Sequence, residues 1–505
     1  MKKPCLRLLL ILFATGSFAC AAPAQGTPAS AAAPASGASG IWLGTLDAGG
    51  TKLRIQLRLG NNGQECALDS IDQKAFGIPC NNVQLTGDAL TLDVPAVNGK
   101  FAGTLSADGQ TITGTWTQGG ALPLVLTRQK EAVTGPLAKP PKPPDPAMPP
   151  VSVADLHSIL DHDLAGQLSS GQLAPATHAG VTVGVIEHGK RLVFSYGTAK
   201  PDSVFEIGSI SKTFTATILA QMVEQGKVRL DEPVRDLLPP GTVSKPESGA
   251  EITLLDLSDQ HSGLPRMPDN FHPADPSNPY ADYDAKALYT YMGKHGIALP
   301  TNAPFGYSNL GVGLLGQALA NRANLPYPAL LQAQVTGPLG MRDTAVTLTP
   351  AMQARFIQGY DGDHKPAHAW DLVALAGAGG IRSTADDMLT YLQAEQHPDA
   401  LPASAKKVPA GKTLPQAIAM THVIRADVGG GMHIALNWFH IDATGSYWHN
   451  GGTGGYSSYA LFNSDKDFAV IVLSNTTVGP DSITDTLGQH IAQRLSGLPA
   501  VSLTP

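Results

Sequence analysis

The spacing of hydrophobic and polar positions divides this 505-residue chain into regions of different character. Between residues 40 and 130 the apolar positions alternate with polar ones, most regularly over residues 52–59, and turn pairs such as Asp108-Gly109 separate the short runs. Alternation with a period of two is typical of β-strands that bury one face. We therefore predict a small all-β domain over residues 40–130, built as an antiparallel barrel or a sandwich.

From residue 153 onward, strand-like and helix-like patterns occur together. Apolar strand patterns lie near both ends of this region, at residues 181–187, 191–196, 434–440, 457–462 and 468–474. Helical spacing fills the middle and returns in a final segment near residues 481–495. Strands from both ends with helices between them predict one antiparallel sheet flanked by helices. The chain is thus predicted to be of the α+β class, with its large domain over residues 153–497.

The remaining segments are predicted to be connectors and an export signal. Two lysines followed by a short apolar run predict a signal peptide over residues 1–20, and this run is too short for a stable transmembrane helix. Residues 21–39, rich in Ala and Pro, predict a disordered spacer, and residues 131–152 a proline-rich linker. We expect an exported, periplasmic protein. If Cys20 is lipidated, the protein is a membrane-anchored lipoprotein, and this alternative stays open.

Two of the cysteines, Cys66 and Cys80, lie in the small β domain. In an oxidising compartment such a pair is predicted to form a disulfide, with two buried thiols as the alternative. The two Trp residues of this domain, Trp42 and Trp116, offer either an aromatic glycan-binding surface or core packing, and a small domain favours the core.

Composition narrows the function. A net charge of −7 and an aromatic content of 6% give no basis for nucleic-acid binding. One histidine pair has metal-ligand spacing, His364 and His368, but Pro366 between them disfavours the helix that would bring both to one face. We predict neither a metal site nor a cofactor.

Candidate chemistry begins where an apolar segment, residues 204–207, leads into a helical pattern. Ser209 and Lys212 lie three residues apart at this junction, and a helix places such residues on the same face. A Ser hydroxyl needs a base to become a nucleophile, and a Lys whose pKa burial has lowered can serve. A second Ser-x-x-Lys match, Ser404 to Lys407, lies between prolines and is predicted to be a solvated loop.

Two further stretches accompany this pair. Tyr307-Ser308-Asn309 precedes an apolar helix, and His449-Asn450-Gly451-Gly452 lies in a glycine-rich segment that leads into a strand. Taken singly, these patterns are typical of a helix cap and a hairpin loop. In this order and spacing, the three stretches resemble the motifs of the penicillin-recognising serine hydrolases, which include class C β-lactamases, DD-peptidases and related esterases. The resemblance extends over about residues 153–497.

The resemblance implies a β-lactamase/transpeptidase-like fold and a role for each motif residue. Ser209 would form an acyl-enzyme, while Lys212 and Tyr307 would share the proton transfers. The backbone N–H groups of Ser209 and Gly452 would form an oxyanion hole. The residues implied in substrate binding are Asn309, His449, Asn450, Gly451 and Gly452.

Two positions depart from the family pattern. Gln260-His261 replaces a common His-Thr pair, which raises the question of how the adjacent loop is held. His449 stands where efficient β-lactamases usually have Lys, and a His with an ordinary pKa of about 6.5 is mostly neutral at pH 7. We therefore expect weak binding of substrate carboxylates that improves as the pH falls toward about 6.

These observations predict an exported serine hydrolase that acts on D-Ala-D-Ala-type peptides, as a DD-carboxypeptidase or endopeptidase, with β-lactam hydrolysis open as a further activity. Its partner would be a small-molecule or peptidoglycan-peptide substrate. The alternatives are a carboxylic-ester hydrolase that uses the same site and a penicillin-binding protein that is acylated without turnover.

Overall fold

The computed structural model describes residues 37–48, 51–60, 65–72, 75–97, 99–118, 121–134, 143–477 and 482–505. The predicted signal peptide with Cys20, most of the spacer and the centre of the proline-rich linker lie outside these residues. Contacts divide the chain into two units, the first ending at Lys142 and the second comprising Pro143–Pro505. Within the described ranges, no helix is long and apolar enough to cross a bilayer.

The first unit is a nine-stranded antiparallel sheet. Its strands are β1 (Gly40–Ala48), β2 (Thr51–Gly60), β3 (Glu65–Ser70), β4 (Ala75–Pro79), β5 (Asn81–Thr86), β6 (Ala89–Val94), β7 (Gly99–Leu105), β8 (Thr111–Thr117) and β9 (Ala121–Gln129). The spatial order is β4-β3-β2-β1-β9-β8-β7-β6-β5, so that the first and last strands pair in the middle. Because the two edges, β4 and β5, follow each other in the chain, the sheet forms a nearly closed barrel.

The interior of this barrel is apolar. Strand β2 buries alternate residues, including Ile55 and Leu57, as its period of two predicts. Both tryptophans are buried in the same core, Trp42 at 0% and Trp116 at 3% exposure, so neither offers a glycan-binding surface. Cys66 and Cys80 are joined as a disulfide between β3 and the segment after β4, with their Cα atoms 5.2 Å apart.

The second unit contains an eight-stranded antiparallel sheet, ordered β11-β10-β21-β20-β19-β18-β17-β16. Its strands are β10 (Gly180–Glu187), β11 (Lys190–Gly197), β16 (Ala426–Gly429), β17 (Met432–Ile434), β18 (Phe439–Ile441), β19 (Ser446–Gly452), β20 (Ser457–Asn463) and β21 (Phe468–Ser474). Two short pairs lie outside this sheet, β12 (Phe205–Glu206) with β15 (Arg382–Ser383) and β13 (Gly359–Tyr360) with β14 (Pro366–Ala367). The pairing of β10 with β21 confirms a sheet built from both ends of the domain.

Helices account for most of the remaining secondary structure of this unit. They are α1 (Val153–Asp163), α2 (Ala165–Ser169), α3 (Ser211–Glu224), α4 (Leu254–Ser258), α5 (Ala285–His295), α6 (Asn309–Ala323), α7 (Tyr327–Leu331), α8 (Gly337–Leu339), α9 (Pro350–Gln353), α10 (Ala376–Gly379), α11 (Ala385–Gln396), α12 (Leu414–Thr421) and α13 (Ile483–Leu495). The predicted α+β class is confirmed. Helix α3 is buried on all sides and packs against α6, α10 and α12, which makes it the central helix of the core.

The second unit begins earlier and ends later than the predicted 153–497. Asp145 and Ala500 exchange backbone hydrogen bonds of 2.7 and 3.0 Å, and Val151 N–H donates to Arg494 O at 3.0 Å. The Arg494 guanidinium also lies 3.2 Å from the Asp145 carboxylate. Residues 143–152 are therefore bound to the domain rather than part of a free linker. An extended proline-rich segment has no amphipathic period, so its sequence does not show that it is bound in this way.

Candidate active site

Ser209 lies in a 3₁₀ turn, Gly208–Ile210, between β12 and α3. Gly208 has a φ of +49°, and a Cβ atom added there would lie 2.5 Å from the backbone nitrogen of Gly452. A glycine is thus required for both conformation and space. Ser458 Oγ also donates to Ile207 O at 2.8 Å, which holds the turn against β20. These contacts place Ser209 directly against the end of β19.

Lys212 lies one turn along from Ser209 and is fully buried. Its Nζ is 2.9 Å from Ser209 Oγ and donates to Ala378 O at 2.6 Å, and no carboxylate within the described residues forms an ion pair with it. Burial, followed by the charge of Arg266, holds the pKa of Lys212 well below its ordinary value. A neutral amine next to a serine hydroxyl can accept its proton.

The Tyr307 ring packs against the Lys212 amine, with its ring centroid 4.8 Å from Nζ. Burial raises the pKa of Tyr307 to about 12, although Arg266 and the nearby Ser209 hydroxyl act in the opposite direction. Among the described residues, no group forms a hydrogen bond of good geometry with the buried Tyr307 hydroxyl oxygen. Tyr307 is therefore protonated at neutral pH.

Gln260 holds the Tyr307 loop, and motif reasoning did not assign it this role. Its side-chain oxygen accepts from Ser308 N–H and its backbone oxygen from Gly306 N–H, both at 2.8 Å. Its amide nitrogen donates to Asn437 Oδ1 at 2.8 Å. Gln260 stands where proteins with the resembling motifs usually have His. The loop is therefore held by a Gln residue that bonds the loop backbone on one side and the Asn437 side chain on the other. Its left-handed φ of +68° is visible only in the structure.

His449 is buried in β19 and differs from our expectation. Its Nδ1 lies 2.6 Å from Asn450 O, and its ring packs against those of Phe439 and Tyr307 at centroid distances of 5.5 and 6.2 Å. Burial, with a smaller contribution from Lys212, lowers the pKa of His449 to about 3. The expected ordinary pKa is thus wrong, and His449 stays neutral from pH 5 to pH 9.

Asn450 was expected to bind substrate, but its side chain lies on the other face of β19. Its Nδ2 donates to Asp485 Oδ1 of α13 at 2.7 Å. Successive side chains of a strand alternate between faces, so Asn450 cannot share the face of His449. Its position corrects the substrate-binding assignment and makes Asn450 a link between the sheet and the last helix.

Gly451 and Gly452 let the strand end approach the Ser209 turn. A Cβ atom on Gly451 would collide with Ile207 O. Thr453 N–H donates back to Tyr456 O at 2.9 Å, so the N–H of Gly452 points away from β20. On that side the pairing with β18 has already ended at Trp448. The Gly452 N–H is therefore directed toward the Ser209 turn, where an oxyanion hole requires it.

A small cavity opens at Ser209. Its polar side is formed by Ser209, Asn309, Gly452 and Thr453, and its apolar side by Tyr280, Trp370, Leu372, Leu375, Ala378 and Gly379. Asn309 is the first residue of α6 and is oriented by the cap that Ser308 Oγ provides to Gly311 N–H at 2.8 Å. The cavity thus combines one polar and one apolar wall around the serine hydroxyl.

A buried ion pair supports the apolar wall and was not found by sequence reasoning. Glu206 accepts from Trp370 N–H at 2.8 Å, and Arg382 lies 3.1 Å from Glu206 while donating to Trp370 O at 2.6 Å. The pair fixes the backbone of Trp370 from both sides. A charged residue within an apolar strand, as in residues 204–207, is the signal that could have indicated it.

The other candidate residues lie elsewhere. Lys407, the partner of Ser404 in the second Ser-x-x-Lys match, is exposed, unlike the fully buried Lys212. His364 and His368 flank β14 rather than lie on a helix. Neither pair is part of the cavity at Ser209.

A buried serine–lysine pair in an α+β domain of this topology defines a class, the serine hydrolases related to the β-lactamases. A family model described as Beta-lactamase matches residues 171–493. A D-alanyl-D-alanine-carboxypeptidase/endopeptidase, AmpH of Escherichia coli K12, is 30% identical over 307 residues, which cover 58% of this chain and 78% of that protein. A β-lactamase of Pseudomonas fluorescens is 28% identical over 369 residues, 64% of this chain and 94% of that protein.

A solved structure agrees in fold. The crystal structure of a β-lactamase/D-alanine carboxypeptidase from Pseudomonas syringae superposes with a TM-score of 0.54 at 19% identity, covering 68% of this chain and 98% of that one. The chain belongs to the β-lactamase family of penicillin-recognising serine hydrolases.

Proposed function

We propose that this protein cleaves D-Ala-D-Ala-type peptides through an acyl-enzyme on Ser209. The observation that carries the proposal is the 2.9 Å contact between Ser209 Oγ and a buried Lys212 amine that has no carboxylate partner among the described residues. The name of the Escherichia coli relative, a D-alanyl-D-alanine-carboxypeptidase/endopeptidase, supports this substrate class.

The steps follow from the protonation states. Neutral Lys212 takes the Ser209 proton as Oγ attacks the carbonyl carbon, and the N–H groups of Ser209 and Gly452 bind the oxyanion. Tyr307 donates its proton to the departing amine as the C–N bond breaks, and Lys212 returns a proton to Tyr307. Water then hydrolyses the acyl-enzyme by the same transfers in reverse, which restores the Ser209 hydroxyl.

The remaining site residues orient these groups. Asn309, on the polar wall of the cavity, would bond an amide of the acyl group. His449 is neutral and packs against the Tyr307 ring, so its proposed role is to hold that ring rather than to bind an anion. Gly451 and Gly452 give the substrate access to the strand end.

Ester hydrolysis is the second candidate, and the apolar wall formed by Tyr280, Trp370 and Leu372 favours it. β-Lactam hydrolysis, or acylation without turnover, would use the same serine. Export to the periplasm is part of the proposal and is supported by the predicted signal peptide over residues 1–20, with lipidation of Cys20 still open.

The deciding experiment is intact-protein mass spectrometry of the wild type and of Ser209→Ala after mixing with a D-Ala-D-Ala peptide, benzylpenicillin or p-nitrophenyl butyrate. We expect wild type to release D-alanine and to show a covalent adduct that maps to Ser209. Ser209→Ala should do neither, and Ser404→Ala, in the second Ser-x-x-Lys match, should behave as wild type. An adduct on any other serine would contradict the assignment, and turnover of the butyrate alone would favour the esterase.

A further inference from the structure

The Arg266 guanidinium lies beside the active site without an acidic partner in the described part of the chain. Its Cζ is 5.2 Å from the centroid of the Tyr307 ring, and the residue is partly buried. Several other arginines of this unit that are buried or partly buried face carboxylates, namely Arg235 with Glu251, Arg322 with Glu232, Arg355 with Asp343, Arg382 with Glu206 and Arg494 with Asp163. The partly buried Arg425, like Arg266, forms no ion pair among the described residues. A partly buried guanidinium without such a partner can accept a ligand's carboxylate in its place.

The backbone of Arg266 is held to the same loop and helix as Tyr307. Its carbonyl oxygen accepts from Asn309 N–H at 3.1 Å and from Leu310 N–H at 3.2 Å, at the start of α6. Its positive charge acts on the site, because it lowers the pKa values of Lys212 and Tyr307. The backbone at Arg266 is thus held to the start of α6, and its guanidinium packs over the Tyr307 ring.

Among the described residues, the two cationic side chains that lie over the Tyr307 ring are Lys212 and Arg266. Burial holds the pKa of Lys212 well below its ordinary value and lowers that of His449, at the position where β-lactamases have Lys, to about 3, so it favours the neutral form of both groups. The leaving amine must lie at the Tyr307 hydroxyl to receive its proton. In a D-Ala-D-Ala peptide the carboxylate is attached to the carbon next to that amine, which brings it to the side of the Tyr307 ring where a cation can bind it.

We propose that Arg266 binds the carboxylate of the leaving group, so that the site selects acyl donors whose leaving group is anionic. This inference rests on the proposed acyl-transfer function and specifies its substrate. A planar guanidinium can bind a carboxylate through two parallel hydrogen bonds, which a neutral imidazole at position 449 cannot do. A peptide C-terminus and the carboxylate of a β-lactam present the same group.

The test compares substrates that differ only in this charge. kcat/KM is measured for release of D-alanine from an N-acylated Lys-D-Ala-D-Ala peptide and of D-alaninamide from its C-terminal amide. Benzylpenicillin and its methyl ester form the β-lactam pair, and 3-carboxyphenyl butyrate and 3-carbamoylphenyl butyrate the ester pair. The wild type should prefer the acid in each pair that it uses. Arg266→Gln should lower the acid-to-neutral ratio by roughly 10–100-fold, mainly through KM.

Two variants serve as references. Arg266→Lys keeps the charge but loses the paired geometry, and we expect an intermediate ratio. Arg229→Gln removes an exposed arginine paired only with the exposed Asp231, and its ratio should equal that of wild type. The thermal midpoint of each variant establishes that it is folded.

Several outcomes would overturn the proposal. Arg266→Gln could lower kcat/KM equally for the acid and the neutral substrate of a pair and also shift the pH at which activity appears. Arg266 would then act only by lowering the pKa of Lys212. If wild type used acid and neutral substrates equally well, the proposal would fail without any variant. If neither peptide were cleaved, the peptidase function would fail, and the ester pair would still decide the role of Arg266.

Discussion

At the scale of single residues, burial moves the pKa values of two neighbours in opposite directions. Burial disfavours the charged form of each group. It therefore lowers the pKa of Lys212, which is charged when protonated, and raises the pKa of Tyr307, which is charged when deprotonated, to about 12. Burial thus favours the neutral form of both groups, which suits one to accept a proton and the other to donate one. This is the state that the proposed attack by Ser209 requires.

Two substitutions separate these roles. Lys212→Met and Tyr307→Phe should each lower kcat for D-alanine release by about 10²–10⁴-fold, the usual contribution of acid–base catalysis. Tyr307→Phe removes only a hydroxyl without a full hydrogen-bond partner in the described residues, so its thermal midpoint should stay close to that of wild type. Lys212→Met conserves volume but leaves Ala378 O unpaired and should be less stable. Wild-type turnover in either folded variant would refute the proposed proton transfers.

At the scale of secondary-structure elements, β19 connects the active site to α13. One face carries His449 toward Tyr307, while Asn450 on the other face donates to Asp485. Burial raises the pKa of the Asp485 carboxyl to about 6, against the hydrogen bonds that it accepts. A single strand thus orients the catalytic side and anchors the last helix.

The Asp485 link predicts a stability that depends on pH. The folded protein holds a proton on Asp485 up to a pKa of about 6, whereas the unfolded chain loses it near 3.8. The stabilisation is complete below the lower value and is lost as the pH rises through the higher one. Relative to Asp485→Asn, which keeps the acceptor for Asn450 without a charge, wild type should lose about 2–3 kcal/mol of unfolding free energy between pH 4 and 7.5.

Urea unfolding at several pH values measures this difference. Asp155→Asn, a substitution on the exposed side of α1, is measured over the same pH range as a surface reference. A difference between wild type and Asp485→Asn that did not change with pH would contradict the raised pKa.

At the scale of the whole molecule, each unit has its own sheet and its own apolar core. All three motifs and the cavity at Ser209 belong to the second unit. The family match, over residues 171–493, also lies entirely within it. The chemistry is therefore expected to reside in residues 143–505 alone.

Truncation tests this expectation and the position of the boundary. A protein that begins at Pro143 should keep wild-type kcat on a small ester. One that begins at Val151 loses the Asp145 contacts with Arg494 and Ala500 and should be less stable by about 1–3 kcal/mol, as measured by urea unfolding. An inactive but folded protein from Pro143 would mean that the first unit completes the site.

The sequence by itself determined the α+β class, the sheet built from both ends of the domain and the serine hydrolase family. The period of hydrophobic positions depends only on residues that are close in the sequence, so it can be recognised before the fold is known. Ser209 and Lys212 could be paired in advance for the same reason, because a spacing of three residues within one helix is local.

Only the tertiary structure decided which groups face the cavity and in what charge state. The side of β19 on which Asn450 lies depends on strand register, and the pKa of His449 depends on burial by Phe439 and Tyr307, which are distant in sequence. Gln260 acquires its contacts from the Tyr307 loop, which it meets only in the folded chain, and residues 143–152 acquire theirs from the C-terminal segment. Packing between distant segments sets solvent exposure and electrostatic surroundings, and neither is encoded in local pattern.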